Sequence, residues 1–139
     1  MLLLRGIDPA DPGHPYWFTV GGGADQGETL AQAAARELRE EVGIVADAGS
    51  LGRPVWRRAT EFGFDGTRYQ QEEEYFLLRV GSCAVSLDGM DEYEKESVIG
   101  YRWCSAADLD SLGEPFFPEE LPRLLRQLTG SVDVPESTP

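Results

Sequence analysis

The chain has 139 residues and a formal charge of −13, from 25 acidic against 12 basic side chains, a length that suits one ordinary domain of about 100–150 residues and leaves no room for a second catalytic one. Apolar residues make up 41% and charged residues 27%, so the composition is that of a folded globular domain and excludes wholesale disorder. The charge excludes duplex nucleic acid as a partner unless local patches or bound cations reverse the field, and a small polyanionic substrate would have to arrive with divalent cations.

In chain order, Leu2-Leu3-Leu4 reads as a strand, and Gly6 to Pro15, punctuated by prolines and glycines, as a turn-rich stretch. Neither the opening residues nor any later apolar run is long enough for a signal peptide or a membrane span, so the expected setting is the cytoplasm, with no membrane partner. Tyr16 to Val20 reads as the next strand, and Gly21-Gly22-Gly23 breaks it. Thr29 with Gln32 forms a capping-box pattern that predicts a helix starting at Leu30 and stopping at Gly43. Its apolar stripe runs through Leu30, Ala31, Ala34, Ala35, Leu38 and Val42.

Farther on, Val55 to Phe64 and Thr67 to Val80 read as two antiparallel strands around the hairpin signal Asp65-Gly66. Val98 to Cys104 reads as a further strand, and Ala106 to Leu112 and Leu121 to Leu128 as short helices. The expected organisation is one domain over residues 1–130, followed by a flexible tail at 131–139. Strands around one strong helix, without regular βαβ alternation, predict an α+β fold with a mixed sheet. Cys83 and Cys104 have neither the number of a disulfide framework nor metal-ligand spacing, and read as buried or half-buried free thiols.

The chemistry-bearing feature is on the predicted helix. Glu37, Glu40 and Glu41 stand at i, i+3 and i+4, which confines three carboxylates to roughly 100° of arc. Two carboxylates about 5 Å apart repel by roughly 3 kcal/mol at an effective dielectric of about 20, so a compensating cation is expected. An all-oxygen cluster suits a hard divalent ion, magnesium or manganese. Taken alone, the triplet reads more readily as a solvated acidic helix face, partly balanced by Arg36 and Arg39.

The spacing around the triplet goes further. From Gly22, five residues lead to Glu28, seven more to Arg36, and then come Glu37-Leu38-Arg39-Glu40-Glu41-Val42-Gly43-Ile44. This stretch resembles the Nudix box at every defining position. The resemblance implies an α/β/α sandwich and a metal-dependent hydrolase that cleaves the diphosphate bond of a nucleoside diphosphate linked to another moiety. It further implies Glu37, Glu40 and Glu41 as metal ligands and catalytic residues, Gly22 as the turn approaching the metal, and Arg36 with Glu28 as the ion pair joining loop to helix. Ala33, one turn before Glu37, would leave space for ions and phosphates. Two other readings stand beside it: a catalytically silent Nudix-like module that binds or senses a nucleotide, and a purely structural acidic helix.

The proton acceptor is expected either among the box glutamates or in Asp91-Glu92-Tyr93-Glu94-Lys95-Glu96, with Glu96 favoured over Glu94. Glu72, Glu73 and Glu74 read as mostly surface, since strand alternation turns Glu73 away from its neighbours. His14, in a proline-flanked loop, is a weak candidate base. Trp17, Phe18, Trp56, Tyr69 and Tyr75 could stack on a base but suit core positions as well. The residues after the box, Ala59 to Phe62, carry neither the proline nor the tyrosine that marks some subfamilies, so the substrate stays open among small diphosphates and nucleotides. Family members usually have a strand before the segment matching Leu2-Leu3-Leu4, so a missing or shortened first strand is expected, with an exposed edge that a homodimer could cover.

Overall fold

The computed structural model describes residues 1–64, 67–81 and 83–130; the predicted Asp65-Gly66 turn and the 131–139 tail lie outside them. In chain order the elements are β1 (Leu2–Asp8), β2 (Asp11–Thr19), α1 (Leu30–Val42), a 3-10 turn (Ala48–Leu51), β3 (Trp56–Phe64), β4 (Thr67–Tyr75), α2 (Glu92–Ser97), β5 (Val98–Trp103), α3 (Ala106–Asp110), β6 (Phe116–Phe117) and α4 (Leu121–Gly130). They divide into two compact units, one made of Met1–Val20 with the chain from Met90 onward, the other of Gly21–Gly89.

The first unit is built on a four-stranded sheet in the order β5-β1-β2-β6, mixed because β6 runs parallel to β2 while the other pairs are antiparallel. Strand alternation puts Leu3 on one face and Leu4 on the other, and both are fully buried. Leu3 joins Trp17, Cys104, Leu109 and Leu121 in a core that brings α3 and α4 onto the sheet. Each large aliphatic side chain so buried contributes about 1.5–3 kcal/mol. Arg5 adds a polar clamp: its guanidinium grips both carboxylate oxygens of Glu114, which also accepts from Trp17 Nε1 at 2.8 Å. Glu114 is held below the usual carboxylate range by Arg5 first and then by Trp17.

Two sequence expectations change here. The stretch from Gly6 to Pro15 is a strand hairpin rather than a loop, with Asp8 opposite Asp11 and the turn braced by Ala10 N–H donating to Asp8 at 2.9 Å. Pro12 and Pro15 are tolerated because β6 pairs with β2 only at Trp17 and Phe18, leaving the proline-bearing half on an edge where no ladder donor is needed. The open edge expected at the first strand is absent, since β1 is paired on both sides, with β2 and β5. Three elements were not anticipated: α2, which starts from a capping box between Asp91 and Glu94, the 3-10 turn at Ala48–Leu51, and the two-residue β6, too short to show a period.

The second unit holds α1, the 3-10 turn and the β3–β4 ladder. Strand β4 stops at Tyr75, short of the expected Val80. Two acids of the run on β4 are tied across the ladder, Glu73 to Arg58 at 2.6 Å and Glu74 to Arg57 at 2.9 Å, while Glu72 is exposed as expected. Tyr75 donates to Glu73 at 2.9 Å and stacks on Trp56, centroids 5.0 Å apart, and burial pushes its hydroxyl up to about 12. Among the described residues, no helix is long and apolar enough to cross a membrane.

Candidate active site

Helix α1 is defined at both ends by local chemistry. Thr29 Oγ1 accepts from Gln32 N–H and Gln32 Oε1 accepts from Thr29 N–H, so the predicted capping box is complete. At the other end Gly43 adopts φ 73°, a left-handed conformation that costs glycine little, and its N–H closes on Arg39 O at 3.0 Å. Ser86 N–H then satisfies Val42 O at 2.9 Å. The helix turning out the three glutamates is therefore fixed before any ligand is considered.

Along α1 the glutamates differ in exposure. Glu41 is buried, at 5% exposure, and accepts from Gly21 N–H at 2.9 Å through Oε1. The Glu37 side chain is 13% exposed and that of Glu40 is 43%. Glu37 and Glu41 each offer a carboxylate oxygen within 4.8 Å of the other's. Gly22 lies against this pair: a Cβ built there would stand 2.7 Å from Glu37 Oε2. Only a residue without a side chain lets the loop pass so close to the carboxylate. Ala33, one turn earlier, is buried at 1% exposure, so its smallness serves packing.

Arg36 is the hub that holds loop to helix. Its Nε and Nη2 donate to the two oxygens of Glu28, each at 2.9 Å, and Nη2 also donates to Gly23 O at 3.0 Å. Its Nη1 reaches forward to Glu37 and, at 3.2 Å, to Glu40. Glu28 closes a second small ring with Asp25, accepting its N–H at 2.9 Å. The Arg36 guanidinium, followed by the Asp25 N–H, draws the Glu28 carboxyl down to about 2, and Glu28 in turn raises Arg36 above its already high value. Bidentate pairing of this kind fixes orientation as well as distance. Arg36 therefore positions Glu37 and Glu40.

The donor set fits a hard divalent cation. It is oxygen-only, with neither histidine nor cysteine, and it gathers formal negative charge on one helix face that Arg36 only partly offsets. Gly21's N–H contact to Glu41 was not legible from spacing, because it joins residues twenty apart; the one signal was a glycine run just ahead of the helix.

The remaining candidates belong to other elements. Glu94 and Glu96 are on α2, in the first unit; Glu94 is half-buried and accepts from Asp91 N–H at 3.2 Å as part of the capping box, while Glu96 is exposed. His14 is on β2, exposed and paired with Asp11 at 2.8 Å. Trp17 is core and bonded to Glu114, Phe18 packs on Tyr16, and Trp56 on Tyr75, so these aromatics have structural partners; Tyr69 is 43% exposed. Of the two free thiols expected to be buried or half-buried, Cys104 is buried but Cys83 is exposed.

Comparison with known proteins fits this geometry. A family model described as NUDIX domain matches residues 1–128. An RNA pyrophosphohydrolase from Wolbachia pipientis subsp. Culex pipiens (strain wPip) is 27% identical over 124 residues, covering 84% of this chain and 75% of that protein. The structure of the E. coli dihydroneopterin triphosphate pyrophosphohydrolase matches with a TM-score of 0.61 at 23% identity, over 94% of this chain and 86% of its own. That of a C. elegans Ap4A hydrolase, in a binary complex, matches at 0.59 and 21% identity, over 94% and 83%. At such identities the two structural likenesses establish the fold, a mixed α+β fold shared with these hydrolases.

Proposed function

The chain belongs to the NUDIX domain family, and from that premise we propose that it is a divalent-metal-dependent hydrolase cleaving the diphosphate bond of a nucleoside diphosphate linked to another moiety, the work of a single domain over residues 1–130. The observation that carries the reading is the closeness of the Glu37 and Glu41 carboxylates on a helix whose loop approach needs glycine at position 22. The similar proteins are named for RNA, dihydroneopterin triphosphate and Ap4A, which share a phosphoanhydride and little else, so the leaving group stays unassigned.

Glu37, Glu40 and Glu41 would hold magnesium or manganese. Such ions, when bound, supply neutralisation of the diphosphate and acidify an attacking water. The chain's own part is orientation. Gly21 N–H fixes the buried Glu41 carboxylate, Arg36 fixes Glu37 and Glu40, and the Glu28 bond keeps Arg36 from swinging away. Pre-set carboxylates avoid reorganisation during the reaction, which is where much electrostatic catalysis originates. The water proton goes to a carboxylate, for which we propose Glu96, with Glu94 second because its oxygen already serves the α2 cap.

The test is a panel of nucleoside diphosphate derivatives, assayed with and without magnesium or manganese for phosphate-bearing products. Turnover abolished by EDTA supports the enzyme. Metal-dependent binding of a nucleotide without turnover across the panel would instead select the silent binding module.

A further inference from the structure

Among the described residues, β5 has no strand beyond it: β1 pairs with one side and the other is an open edge of the four-stranded sheet. Its sequence is Val98-Ile99-Gly100-Tyr101-Arg102-Trp103. Alternation puts Ile99, Tyr101 and Trp103 on one face, and they are 48%, 44% and 44% exposed. Edge strands template pairing through their unused N–H and C=O groups, and proteins usually guard them with lysine, proline or inward charge. β5 has no lysine, proline or acid, and its one charge, Arg102, is on the opposite face, 3.7 Å from Asp108.

Electrostatics narrows what can sit there. A chain of charge −13 repels its own copy, so two copies can meet only where acids are sparse. The run from Ser97 to Cys104 contains no acidic residue. An acid-free, self-matching edge on an otherwise acidic molecule favours a second copy over a basic partner, which would be drawn to the acidic surface instead.

We propose that β5 is the contact strand of a homodimer, in which two β5 strands pair antiparallel about a two-fold axis through Tyr101 and extend the sheet across both copies. In that register Tyr101 stands opposite its symmetry mate and Ile99 opposite Trp103, the aromatic and β-branched pairings that antiparallel ladders favour. An axis placed between Gly100 and Tyr101 would instead split the stripe between the two faces of the joined sheet. The interface is isologous, as a two-fold requires. A six-residue edge is small, so association belongs in the micromolar range rather than among obligate dimers.

Sedimentation velocity of the full chain over a concentration series tests this. The wild type should become dimeric at tens of micromolar, and the variant I99K/Y101K should stay monomeric with an unchanged far-UV CD spectrum. A monomeric wild type throughout the series, or a folded variant that dimerises equally, overturns the proposal. Should the double variant fail to fold, Y101C settles it: in a C83S background, which removes the exposed native thiol, mild oxidation should give a cross-linked dimer. A dimeric Y101C protein that does not cross-link, beside an E92C control on α2 that does, would place the contact elsewhere and overturn the proposal too.

Discussion

Gly22 and Glu37 approach so closely that a methyl group on the glycine would stand 2.7 Å from Oε2 and 2.8 Å from Cδ of the glutamate. Both atoms are at the far end of a flexible side chain, so Gly22→Ala can be absorbed by moving the carboxylate while the backbone stays put. The fold should survive, with a melting temperature close to that of the wild type. Activity should not: a displacement of about 1 Å at a positioning group costs on the order of 10²-fold. Steady-state kinetics of G22A over a magnesium titration check this. An unchanged kcat would show that the place of the Glu37 carboxylate is immaterial to the reaction.

The Glu28–Arg36 bond predicts a specific acid sensitivity. Glu28 has its folded-state value lowered to about 2 from an ordinary 4.5, so the bond's contribution to stability is fully present above pH 4.5 and is lost as pH falls towards about 2. Glu28→Gln keeps an acceptor but removes the charge. The gap between wild-type and E28Q urea midpoints should therefore be constant from pH 7 down to about 4.5 and close below it. Parallel curves through the acid range would mean that the carboxylate's charge contributes nothing to the clamp.

Leu109 offers a test of the other unit. It is buried at 2% exposure on α3 and belongs to the cluster with Leu3 and Leu121. Leu109→Ala should destabilise by about 2–5 kcal/mol in urea unfolding, the usual range for opening a cavity at a buried leucine. Because Leu3 shares the cluster, the L3A/L109A double variant should depart from the sum of the single changes, by about 0.5–3 kcal/mol. Strict additivity would indicate that the two side chains pack independently.

How much of this was legible depended on range. Helix α1 was readable to the residue because Thr29, Gln32 and Gly43 act within a turn of themselves. The glutamate triplet was readable for the same reason, and the Glu28–Arg36 partnership because the box spacing resembled a known one. The β1–β2 hairpin was misread because prolines signal breaks locally, while their tolerance on β2 depends on β6, almost a hundred residues later. The pairing of Glu73 and Glu74 with arginines on β3 needed the ladder register, which alternation alone does not set. The burial of Glu41, and with it the difference between Glu41 and Glu40, arises from tertiary packing and has no sequence signature.

That difference separates two glutamates that spacing treats alike. Glu41→Gln and Glu40→Gln should each lower kcat by about 10² to 10⁴-fold, the scale for removing a catalytic electrostatic or acid–base group. Their stability in the absence of metal should diverge. Glu41 is buried beside another carboxylate, so replacing it removes a charge from a crowded site, whereas Glu40, 43% exposed at its side chain, is screened by solvent. E41Q should therefore melt at or above the wild type without metal, and E40Q near it. Magnesium at about 100 times its dissociation constant should stabilise the wild type by about 2.7 kcal/mol, since a ligand that binds only the folded state adds to its stability by mass action. E41Q should show much less of this gain. Differential scanning calorimetry with and without magnesium reads both effects independently of any substrate, and an equal magnesium-induced shift in E41Q and wild type would remove Glu41 from the proposed ligands.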